Sequence, residues 1–96
     1  MNYDRDHCRL LILQALDKAS GQQLHQESLL TMLQNNGYTL GRAQLHLELA
    51  WLEENAEAIV DRDKDGVHIA LLTVTGEELA RGQATLKGVR RPSRAG

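Results

Sequence analysis

The chain contains no phenylalanine, and Tyr3, Tyr38 and Trp51 are its only aromatic residues. Any core it buries must be filled by aliphatic side chains, leucine above all. A single cysteine, Cys8, excludes an intramolecular disulfide. No N-terminal stretch resembles the apolar run of a signal peptide, and no segment approaches the ~20 apolar residues a membrane helix needs. The expected setting is a reducing cytoplasm, without membrane contact.

Chemistry-bearing motifs are equally scarce. There is no phosphate-binding glycine loop, no nucleophile elbow and no assembled triad, so no enzymatic activity is expected. His7, His25, His46 and His68 are scattered without metal-ligand spacing. The adjacent pair His7 and Cys8 would point about 100° apart on a helix and converge poorly on one ion. No metal, cofactor or small-molecule effector is expected. Cys8 lies on an apolar helical stripe and reads as a packing residue.

What remains is a composition of 42% hydrophobic and 25% charged residues over 96 positions, that of one small soluble domain. All 13 acidic residues precede position 87, whereas Lys87, Arg90, Arg91 and Arg94 supply four of the 11 basic ones. The expected organisation is an acidic folded body, residues 1–86, and a basic flexible tail, residues 87–96. A polyanionic partner would be attracted by the tail and by local patches, because the field of the body repels it.

Apolar periodicity predicts the elements. From Asp4 to Ser20, Cys8, Leu11, Ile12, Ala15, Leu16 and Ala19 fall on one helical face, and Gly21 stops the helix. Leu10 and Leu13 lie off that face, so the helix is either central or part of an oligomer contact. A second helix spans about His25 to Asn36, with Leu24 in an extended link before it. In the next stretch Leu45, Leu47 and Leu49 alternate as in a strand, but the recurrence of Leu45, Leu49, Leu52 and Ala56 favours a third helix from about Leu40 to Asn55, with Thr39 as N-cap. Leu40, Leu47 and Trp51 form a second apolar strip on it that one small core cannot cover. With Leu10 and Leu13, that strip is the expected dimer or partner face.

Residues 61–66, "DRDKDG", match the first half of a calcium-binding EF-hand loop. The second half is missing: Ile69 and Leu72 stand where oxygen ligands are required. Asp65-Gly66 is instead a strong two-residue hairpin signal, pairing Lys64 with Val67, Arg62 with Ile69 and Val60 with Leu71. A short last helix follows, capped by Thr75 with Glu78 or equally by Thr73, and stopped at Gly82. Beyond Gly88 the sequence offers nothing to bury. The fold class is thus mainly α with a β-hairpin, in the order helix, helix, helix, hairpin, helix, which is the layout of a winged helix-turn-helix.

"LHLELAWLEENAEAIV", the hairpin and "IALLTVTGEELARG" resemble the winged-helix domains of bacterial ArsR- and MarR-type regulators. Extended through "LTVTGEELARGQATLKGVRRPSR", the chain looks like the small winged-helix proteins encoded in Mu-like phages and prophages. Many such regulators have a glycine after helix 3 where this chain reads Asn55-Ala56-Glu57-Ala58, which suggests an extended helix end. The clustered cysteines of ArsR-type metal sensors are absent, so no metal-sensing residues carry over. The resemblance implies a phage or prophage regulator acting on double-stranded DNA, commonly as a homodimer.

The residues supply candidates for that role. Thr39, Arg42, Gln44 and His46 sit at the start of helix 3, where a reading helix enters the major groove. Arg62 and Lys64 on the wing, with Lys87, Arg90, Arg91 and Arg94 in the tail, are the expected phosphate contacts. The interleaved Asp61, Asp63 and Asp65 oppose them. The acidic body and surplus apolar face also fit a winged-helix interaction or phage-assembly module that does not bind DNA.

Overall fold

Asp4 opens the first helix by accepting a hydrogen bond from the backbone N–H of His7 at 3.0 Å. In the computed structural model, which describes residues 3–93, this helix (α1) spans Arg5–Lys18. A 3₁₀ turn at Ser20–Gln22 leads into a three-residue strand, β1 (Gln23–His25), and then α2 (Gln26–Asn35) and α3 (Arg42–Glu54). The strands β2 (Ile59–Lys64) and β3 (Val67–Leu72) form a hairpin, followed by α4 (Val74–Arg81). The described residues therefore form a small α+β domain of four helices and a three-stranded antiparallel sheet ordered β1-β3-β2.

The hairpin register is the expected one: Lys64 pairs with Val67, Arg62 with Ile69 and Val60 with Leu71. Asp65 at φ 55° and Gly66 at φ 81° give the two left-handed positions of a type I′ turn. The expected extended link at Leu24 is a strand, because Gln23, Leu24 and His25 pair with Leu71, Ala70 and Ile69.

α1 touches α2, α4, β1 and β3, so it is central. Leu10 and Leu13, expected on a partner face, are buried in the chain's own core with Cys8, Ile12 and Leu16. Leu40 is buried in the same core. The glycine lacking after α3 is replaced by Glu57, which adopts φ 50° itself. Its carbonyl accepts from the Thr73 hydroxyl at 2.7 Å, so the connection is a tight turn and not an extended helix end. Of the two candidate caps of α4, Thr73 is the one used, accepting from Gly76 N–H at 3.0 Å.

The C-terminal stretch departs most from expectation. Leu86 and Val89 form an isolated bridge, Val89 is only 7% exposed, and the Arg90 N–H donates to the Asp6 carbonyl at 3.1 Å. Val89 has a site to fill, so residues up to Arg90 are a strap across the start of α1 and not a free tail.

Candidate nucleic-acid interface

Helix α3 begins about two residues later than expected, with Gly41 and not Thr39 as its N-cap and Arg42 as its first residue, leaving Thr39 exposed in the connection from α2. The Arg42 guanidinium donates to both carboxylate oxygens of Glu27 on α2, at 2.6 and 2.9 Å. That fork holds the Glu27 carboxyl below its ordinary range. Both side chains are exposed, so the pair is a weak tether that competing anions can exchange. Gln44 donates to the Tyr3 phenolic oxygen at 2.9 Å.

His46 is drawn away from solvent. Its ring stacks on His68 of β3 with centroids 3.7 Å apart, and its Nε2 lies 2.8 Å from the Gln26 side-chain oxygen. That oxygen also accepts from the His68 backbone N–H at 3.1 Å. Since the amide oxygen can only accept, His46 carries its proton on Nε2. Burial, with His68 next to it, pushes the His46 imidazole below its usual pKa. This cluster ties the hairpin to the first half of α3.

Strand alternation sorts the hairpin charges onto two faces. Asp61 and Asp63 turn to the inner face, where the His68 ring nitrogens approach them at 2.8 and 3.6 Å. Arg62 and Lys64 lie on the outer face with Val60, Val67, Ile69 and Leu71, a face on which β2 and β3 carry no carboxylate. Among the described residues no group of three or more His, Cys, Asp or Glu side chains is placed to hold a metal ion.

Arg90 pairs with Asp4 and is spent on the strap, Lys87 and Arg91 are exposed, and Arg94 lies outside the described residues. The strap also covers part of the second apolar strip of α3. Gly88 lies against the Trp51 ring, and the Arg9 guanidinium stacks 3.8 Å from its centroid. Of the five residues expected on a partner face, only Leu47 is broadly exposed, at 59%.

A buried ion network escaped the sequence reading. Glu48 is fully buried within α3 and accepts from Arg9 Nε at 2.7 Å, Arg5 Nε at 2.8 Å and the Tyr3 hydroxyl. Burial raises the Glu48 carboxyl, but the three donors outweigh it and hold the group below its ordinary pKa. Burial and the Glu48 carboxylate push the Tyr3 phenol up to about 12. Burial, then Glu48, pushes the Cys8 thiol up to about 12, far from thiolate chemistry. The available signal was positional: Glu48 interrupts the stripe Leu45, Leu49, Leu52, and Arg9 sits between the core residues Cys8 and Leu10. Compared with known proteins, the chain matches no protein-family model, no curated protein and no solved structure.

Proposed function

We propose that this domain is a winged helix-turn-helix that binds double-stranded DNA and acts as a phage or prophage transcriptional regulator. The observation that carries the reading is the arrangement of α2, a short connection and α3, followed by a hairpin in a β1-β3-β2 sheet that is tied back onto α3 through His46 and His68. On this reading the first half of α3 enters the major groove. Arg42 is the principal contact, exchanging Glu27 for a phosphate or a guanine edge, while Ala43 and Leu47 offer apolar contact to thymine methyl groups. Gln44 and His46 hold the helix in place instead of reading bases.

A second reading, a winged-helix interaction module, is favoured by Leu47, whose exposed side chain lies on the same helix as the exposed Ala43. A salt titration of binding to mixed-sequence duplex separates the two. DNA binding predicts affinity that falls steeply with salt, with Arg42→Ala flattening the slope by about one unit for one lost phosphate contact. Absence of duplex binding at low salt rejects the first reading in favour of the second.

A further inference from the structure

The hairpin is anchored unequally along its length. At its base Ile59 and Ala70 are buried, and β1 pairs with β3 as far as Ile69. Residues 63–68 project beyond this three-stranded part, and their ties to the helices run through His68. Its backbone N–H donates to the Gln26 side chain on α2, and its ring lies on the His46 ring of α3. Whether the far end of the hairpin rests on α3 thus depends on a contact between two imidazoles. The charged groups around that contact favour one ring over the other. β2 turns Asp61 and Asp63 to the His68 ring nitrogens, at 2.8 and 3.6 Å, so an imidazolium at His68 is paired where it stands. His46 has no carboxylate within hydrogen-bond distance among the described residues. α2 faces it with the neutral Gln26 amide, the neighbouring Glu27 carboxylate being engaged by Arg42, and α3 itself places the Arg42 cation one turn earlier. A second proton on His46 therefore puts a cation on a half-buried ring stacked against His68, while Asp61 and Asp63 are turned to His68.

We infer that the stack of His46 on His68 is an acid-released latch: protonation of His46 frees residues 63–68 from α3 while the base of the hairpin and the helical core stay in place. Burial first, and His68 second, hold the packed His46 imidazole below its ordinary pKa, with Asp61 and Asp63 acting the other way and Arg42 adding to the effect. A His46 released into water consequently binds a proton more readily than a latched one. The released form gains population as pH drops below the ordinary histidine value of about 6.5, by up to about tenfold per pH unit. The latch stands whether or not the domain binds DNA; on the DNA reading it makes the position of the wing relative to α3 depend on pH.

NMR of the full chain, titrated without DNA from about pH 8 to about pH 5, reads the latch directly. At the upper end nuclear Overhauser contacts should join the His46 and His68 rings, and the His68 amide should resist hydrogen exchange. At the lower end both should be lost, with protection of that amide, corrected for the intrinsic pH dependence of exchange, down at least about tenfold while the α1 amides stay protected. His46→Phe keeps a ring for stacking and removes the proton site, so in that variant the His68 amide should remain protected at about pH 5. Rings still in contact at about pH 5 in the wild type overturn the inference, and this holds even if the variant fails to fold. So does a loss of protection that is as large in His46→Phe, or one that α1 shares.

Discussion

Gly88 and Trp51 are in such close contact that a methyl group on the glycine would lie 2.5 Å from the indole Cζ2. The same glycine has φ 103°, a backbone state that side chains resist, and its carbonyl accepts from Arg9 Nη1 at 3.0 Å. Three constraints therefore converge on one residue of a segment that looked unstructured in the sequence.

The first expectation follows from that contact. Gly88→Ala should destabilise the domain by about 1 to 3 kcal/mol through overpacking and backbone strain. Thermal or urea denaturation checks it, and a change within about 0.5 kcal/mol, typical of a free surface position, would refute the strap.

Glu48 leads to the second. Replacing it with alanine leaves the buried Arg9 guanidinium without its closest anion, and breaking such a pair costs about 3 to 5 kcal/mol. Because the folded pKa of Glu48 is depressed, its contribution is present above the unfolded carboxyl pKa and is lost as pH falls through the folded value. Acid titration of the wild type should thus show a loss of stability that is absent in Glu48→Gln.

His46 predicts a dependence nearer neutrality. Its folded pKa is lowered by burial and by His68, so the stabilisation is complete above the ordinary histidine pKa of about 6.5 and declines as pH drops below it. Asp61 and Asp63 temper the effect and Arg42 adds to it. Melting temperatures between about pH 8 and pH 5 should fall less steeply in His46→Phe, which keeps a ring for stacking but cannot be protonated.

The fork between Glu27 and Arg42 bears on DNA. In Glu27→Gln the guanidinium loses its intramolecular carboxylate, and duplex affinity measured by fluorescence anisotropy should rise, with a steeper dependence on salt. An unchanged or weaker affinity would remove Arg42 from the proposed contact.

Local chemistry made much of this fold readable. Asp65-Gly66 alone fixed the hairpin register, because a type I′ turn requires two left-handed residues and leaves only one pairing for Lys64 and Val67. The leucine spacing in α3 outweighed the misleading alternation of Leu45, Leu47 and Leu49. What was not readable depended on distant partners. Gln23–His25 is too short to show a period, and it is a strand only because β3 lies beside it. Val89 amid arginines has no local signature of burial; its place is created by α1 and α3. Arg42, Gln44 and His46 have the chemistry of base-reading residues, but sequence could not show that Glu27, Tyr3 and Gln26 already engage them.

The strap also orders events during synthesis. The hydrogen bond from Arg9 to Gly88 joins residues 79 positions apart, and the pairing of Arg90 with Asp4 spans 86. Arg9 can meet Glu48 once the first half of the chain exists, since that bond spans only 39 positions. Closure over Trp51 has to wait until Gly88 has left the ribosome. The nascent domain can therefore join α1 to α3 before the indole is covered, and closure of the strap is the longest-range contact it has to make.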